Sequence, residues 1–141
     1  MCFDKWFGKC SWALLPLRLV IAAVFIVHGA QKLFGYIDFA GMLTSMNFPL
    51  PVFFAWLVAL TEFFGGIFVL LGLLTRWAAL GLSVVMLVAI FTVHLNNGFF
   101  NPMGVEFPLS LLGGTLALFL GGAGNLSVDN NLLKRKEALA Q

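Results

Sequence analysis

The chain has 141 residues, 61% of them hydrophobic and only 10% charged, with a net charge of +2 and a mean hydropathy of +1.00. A soluble domain carries about 25% charged residues, so the polar surface needed to stay in water is missing and the composition points to an integral membrane protein. The small positive charge argues against nucleic acid as a partner.

The chain opens with a short polar head containing Cys2, Asp4, Lys5, Lys9 and Cys10. The two cysteines form no C-x-x-C pair and read as incidental thiols, with palmitoylation or redox sensing as the alternative. The first apolar run, residues 12–34, leads into His28-Gly29-Ala30-Gln31-Lys32 rather than a small-residue cleavage site. It therefore reads as a membrane helix and not as a cleaved signal. At about 100° per residue, Arg18, His28 and Lys32 fall within an arc of roughly 80°, on one face of that helix.

Residues 35–51 read as a loop closed by Pro49 and Pro51,. A second span follows over residues 52–74, carrying Glu62 and a small-residue stripe at Ala55 and Ala59. The tight link Thr75-Arg76 requires the second and third spans to be antiparallel neighbours. The third span covers residues 77–95 and ends beside His94. A polar, Gly/Pro-rich loop over residues 96–106 leads to a fourth span, residues 107–122, which is short against the roughly 20 residues a helix needs to cross about 30 Å of hydrocarbon. Pro108 suits the first turn of that helix. Gly113, Ala117 and Gly121 recur every four residues on it, the spacing that lets helix backbones approach in lipid.

The expected architecture is all-α: a four-helix up-down-up-down bundle in the membrane, followed by a short tail over residues 123–141. Lys5, Lys9, Arg76, Lys134, Arg135 and Lys136 all fall on one side of it. The positive-inside rule then puts both termini and the second link in the cytoplasm. Trp6, Trp12, Trp56 and Trp77 lie near span ends, as interface anchors do.

Hydrocarbon tolerates charge poorly, so His28, Lys32, Glu62 and His94 need partners, water or a function. A lone carboxylate at mid-bilayer takes up a proton, whereas a nearby cation keeps it ionised. Glu62 is accordingly expected to pair with His28 or Lys32, in a polar cavity of the outer half that also holds His94. Gln31, Arg18 and Glu106 are expected at its periphery, with snorkelling to the headgroups as the alternative for Arg18. His28, His94 and Glu62 are metal-ligand types, but no i, i+3 or i, i+4 pair sits on one helix, so no metal site is expected. No phosphate loop, dinucleotide fingerprint or catalytic-triad signature is present.

These residues also carry a resemblance. Leu17-Arg18-Leu19, the run from Phe25 to Gly35, Glu62-Phe63-Phe64-Gly65-Gly66, Gly72-Leu73-Leu74-Thr75-Arg76, His94 and the closing Gly122 to Asp129 together resemble the DoxX family of small bacterial membrane proteins. The resemblance implies one DoxX-like membrane domain over residues 1–141, in the bacterial inner membrane. It implies kinship with the membrane subunit of a thiosulfate:quinone oxidoreductase and with thiol and oxidative-stress systems. The first expectation is thus a redox-linked membrane subunit that binds a quinone head group through His28, Lys32, Glu62 and His94, with Glu62 as proton relay and a soluble or membrane redox partner supplying electrons. A homo-oligomer is compatible with this. A non-enzymatic assembly or scaffold protein, and a small-solute or proton transporter, stay open as alternatives.

Overall fold

A computed structural model describes residues 12–100 and 102–132, and the described residues are helical with no strand. The elements in chain order are α1 (Leu14–Phe34), α2 (Tyr36–Ser45), α3 (Pro51–Leu71), α4 (Thr75–Ala89) and α5 (Glu106–Gly121). Beyond α4 the chain keeps winding through a π turn (Ile90–His94) and a 3-10 turn (Leu95–Asn97). Leu14–Phe34, Pro51–Leu71 and the continuous Thr75–Asn97 are long and apolar enough to cross a membrane, and α5 is a shorter apolar helix. Cys2, Cys10, Trp6, Lys5, Lys9 and Lys134 to Lys136 lie outside the described residues.

One expected loop is largely helical. Residues 35–51 contain α2, whose Ala40 and Leu43 are buried and packed with Ala55 of α3. Phe39, Ala40 and Leu43 recur at helical spacing, a short amphipathic pattern that the following Pro49 and Pro51 obscure,.

The core joins four helices. Ile21, Ala22 and Phe25 of α1 meet Val69 of α3, Leu82 and Met86 of α4, and Leu118 of α5. Between α1 and α3 the backbones nearly touch. A Cβ on Gly29 would overlap the backbone of Phe63, and one on Gly66 would stand 3.0 Å from the backbone nitrogen of Ile26. Small residues create this approach, which dispersion forces reward in a solvent as apolar as the helices themselves. Between α4 and α5, the Ser83 and Thr115 hydroxyls lie 2.8 Å apart, and Thr115 donates onward to the Leu112 carbonyl at 3.0 Å.

Of the small-residue stripe of α5 only the last member packs closely, a Cβ on Gly121 meeting Leu14 at 3.2 Å. Gly113 and Ala117 are exposed, and a Cβ on Gly113 would meet nothing within 4 Å. The buried face carries Pro108, Leu111, Thr115 and Leu118, and the close approach is made by Gly114 against Ile21. The larger apolar residues fix the rotation of α5, one position away from the stripe.

At the opposite end from α2, the segment after α5 is folded against the helices through the described residues up to 132, rather than hanging as a tail. Arg18 holds it. This side chain, 2% exposed, donates from Nε to the Val69 carbonyl at 3.0 Å, from Nη2 to Leu70 at 2.8 Å, and from Nη1 to both Ala123 and Leu126 at 2.7 Å. The carbonyls of Val69 and Leu70 lie in the last turn of α3, where i+4 donors run out; Val69 also accepts the Gly72 N–H at 3.2 Å, and the guanidinium adds a partner to each. Gly72 allows this: its φ of +66° suits glycine, and a Cβ there would stand 2.7 Å from Arg18 Nη2 and 2.5 Å from Ser127 Cβ,.

Asp129 completes the joint. Its Oδ1 accepts the Leu74 N–H at 2.8 Å, and its Oδ2 accepts the Thr75 N–H and hydroxyl, each at 3.1 Å. A carboxylate at a helix N-terminus satisfies orphan donors and opposes the helix dipole. That offsets the left-handed backbone of Leu74, at φ 48°, a conformation costing roughly 1–2 kcal/mol in an L-residue.

Candidate functional site

A cavity of about 920 Å³ lies among all five helices, with largely apolar and aromatic walls that include Phe25, Phe39, Leu57, Val84 and Leu111. His28, Lys32, Thr61, Glu62, Thr92 and His94 are its polar lining. The four residues expected to share a cavity therefore do line one. Arg18, Gln31 and Glu106 do not line it. Arg18 is turned to the joint beyond α3, while Gln31 and Glu106 are exposed at the ends of α1 and α5. Arg18 shares a helical face with His28 and Lys32, but it meets a different set of neighbours more than two turns away.

Lys32 and Glu62 form the centre of the polar lining. The ammonium donates to both carboxylate oxygens, at 2.5 and 2.6 Å. Glu62 is 1% exposed and the Lys32 side chain 25%. Of the two expected partners for Glu62, the structure selects Lys32. Small residues explain the geometry: Gly29 on α1 and Ala59 and Gly66 on α3 flank the pair and bring the helices close enough for the side chains to meet. Helix α2 covers it from the side, placing the Phe39 ring centroid 5.1 Å from Nζ, a cation–π contact. An ammonium has three donors, and Glu62 engages two.

The histidines differ in their commitments. His94 Nδ1 lies 2.6 Å from the Met103 carbonyl. A carbonyl only accepts, so Nδ1 carries the hydrogen and the neutral ring keeps its lone pair on Nε2. The π turn Ile90–His94 sets the rotation of this residue, and such turns recur at functional sites. His28 is exposed, with its ring centroid 5.8 Å from that of Phe107. Among the described residues no three His, Cys, Asp or Glu side chains cluster to hold a metal ion.

The residues legible only in the structure are the threonines, Phe39 and the Met103 carbonyl. Thr61 is adjacent in sequence to Glu62, and Thr92 lies two positions before His94, a proximity that could have drawn attention to both. Nothing local marks Phe39 or Met103, because the chain returns them to the site from separate segments. Asp129 had a signal: Ser127 accepts the Asn130 N–H at 3.1 Å, and Ser three residues before that amide is a helix-start pattern.

The DoxX family model matches residues 13–95. A Bacillus subtilis protein named "Putative oxidoreductase CatD" is 33% identical over 127 residues, covering 87% of this chain and 89% of the relative. The Escherichia coli inner membrane protein YqjF is 34% identical over 123 residues, covering 86% and 92%. An uncharacterized membrane protein of Mycobacterium tuberculosis is 35% identical over 139 residues, covering 89% and 85%. No solved structure matches the chain.

Proposed function

Since the chain belongs to the DoxX family and is a multi-pass protein of the bacterial inner membrane, we propose that it is the membrane subunit of a redox-linked system passing electrons from a thiol or thiosulfate donor to quinone, and that it binds the quinone head group in the cavity beside Lys32 and Glu62. The observation that carries this reading is the Lys32–Glu62 pair in the wall of a largely apolar cavity that has few other polar groups. A lipophilic ring with carbonyl oxygens suits such a place, since pockets for small ligands are mostly apolar with a few fixed polar groups. The name of the Bacillus subtilis relative lends the redox element its support.

A quinone would supply a two-electron, two-proton acceptor. The chain's own residues would hold it and manage protons. The third N–H of Lys32 donates to a ligand oxygen. His94, through Nε2, accepts from a ligand hydroxyl or takes its proton. Glu62, behind Lys32, is the next acceptor for a relay. Two thiols yielding a disulfide, two electrons and two protons would balance reduction of the ring, the donor being held by a partner.

The same reading makes α5 a fourth span, giving an up-down-up-down bundle with both termini in the cytoplasm. The positive residues expected on that side support this arrangement. It would turn the Lys32 and His94 end of the cavity toward the outer leaflet.

Titration of the purified full-length protein with quinone tests the proposal. Saturable binding at one site, weakened by Glu62→Gln and by Lys32→Met, is the expected result. Absence of binding to the unsubstituted protein would overturn it and return the scaffold reading to the front.

A further inference from the structure

We infer that the cavity holds the tail of its ligand as well as the head, so that the bound molecule is a long-chain quinone entering sideways from the bilayer between α3 and α4. The inference rests on the head-group reading above.

Helix α4 and the π turn that continues it lend the cavity one continuous stripe. Trp77, Gly81, Val84, Val88 and Thr92 all line it, at spacings of three and four residues. At about 1.5 Å per residue this stripe is roughly 22 Å long. A single substituted ring needs far less length. The volume is also near the top of the roughly 300–1,000 Å³ range of pockets for drug-sized ligands.

From Gly81 to Val88 the stripe carries no polar side chain. It therefore offers nothing to a head group and everything to a hydrocarbon chain. The cavity is open on this side. Near their connecting turn, α3 and α4 approach closely at Gly65 and Leu82. Farther along, Leu57, Val84 and Val88 line the cavity and are nevertheless 47%, 52% and 43% exposed. In a membrane that exposure faces acyl chains, so a lipid-borne ligand has a lateral entrance.

Charge selects the occupant. Lys32 and Glu62 are the two charged residues of the lining, aside from the histidines, and they neutralise one another. Among the described residues the lining holds no surplus cation for a phosphate, so a neutral head with acceptor oxygens fits better than a phospholipid.

The test uses the full-length protein in phosphatidylcholine nanodiscs and two quinones with the same ring, one without a tail and one with a decyl tail. Dissociation constants are referred to the membrane-phase concentration of each. Gly81→Phe is the first variant, because a Cβ at Gly81 would meet only the Thr61 methyl, at 3.5 Å. Val84→Trp is the second, at a half-exposed position that tolerates bulk. Each variant should weaken the tailed quinone by about tenfold or more, the scale of discrimination in apolar pockets, and leave the tail-less quinone unchanged. The inference fails if both variants leave the tailed quinone unaffected, if they weaken both quinones equally, or if added dioleoyl phospholipid displaces the decyl quinone as readily as unlabelled decyl quinone does. Equal binding of both quinones to the unsubstituted protein removes the tail site but preserves the head site. No binding of either removes the head-group reading itself.

Discussion

Lys32, in the last turn of α1, spans the interface to hold both oxygens of Glu62 on α3 at 2.5 and 2.6 Å, with the acid buried and the base only partly so. This asymmetry of burial makes the two halves of the pair unequal. Glu62→Gln leaves an ammonium on a flexible stem that can move toward water. Lys32→Met leaves an acid with no cation in a low-dielectric wall, a situation that costs about 3–5 kcal/mol when an ion pair is fully buried. Thermal unfolding in detergent should therefore rank Lys32→Met below Glu62→Gln, and the double variant above Lys32→Met alone. Equal destabilisation by the two single changes, with additive loss in the double, would contradict a coupled pair.

The Arg18 joint depends on a planar, multi-donor group. Lysine at this position keeps the charge but presents a compact ammonium that cannot span carbonyls on two segments. Arg18→Lys should lose about 2–3 kcal/mol, from hydrogen bonds to a charged group worth about 1.5–3 kcal/mol each and partial rescue by the ammonium. Arg18→Met should lose more. Limited proteolysis gives the distinguishing reading: both variants should be cut sooner between Gly122 and Asn130 than the unsubstituted protein. Unchanged cleavage there would mean that the guanidinium does not hold the segment.

Asp129 acts as an N-terminal cap supplied from elsewhere in the chain. Asp129→Ala should cost about 1–2 kcal/mol, the usual worth of a cap with its dipole interaction. Asp129→Asn should fall between, because one amide oxygen can still accept while the charge is gone. A pairing with Thr75→Val tests the contact. Combined loss smaller than the sum of the single losses is expected from residues that share a hydrogen bond.

Glycine positions separate the packed faces from the open one. Gly29→Ala and Gly66→Ala force α1 and α3 apart, at the roughly 1–3 kcal/mol typical of overpacking. Gly113→Ala adds a methyl group to empty space and should be neutral or slightly stabilising through helix propensity. Unfolding temperatures of the three variants decide the matter. A large loss at Gly113 would show that the exposed stripe of α5 packs against something after all.

Much of this protein is legible along the chain. Continuous apolar runs of about twenty residues place α1, α3 and the α4 continuation within a few residues of their observed bounds, because hydrocarbon leaves the backbone few alternatives to a helix. The same scarcity of charge singles out Lys32, Glu62, His28 and His94, since an ionisable group in lipid must be accounted for. Helical periodicity also places Arg18, His28 and Lys32 on one face of α1.

Other features depend on contacts between distant segments. A face is not a neighbourhood: two residues at one angle on a helix can meet different partners at different depths, as Arg18 and Lys32 do. The rotation of α5 follows the competition of its apolar residues for the core, so a regular small-residue spacing can end on the outside. Helix α2 is hard to read from the sequence because its amphipathic pattern is short and followed closely by Pro49 and Pro51. The choice of Lys32 over His28 as the partner of Glu62, the tautomer of His94 set by the Met103 carbonyl, and the cap from Asp129 all arise only once separate segments are brought together in space. Composition and periodicity dictate which segments leave water and which polar groups must be satisfied there; only the packed fold decides which groups satisfy them, because that depends on distances no linear pattern contains.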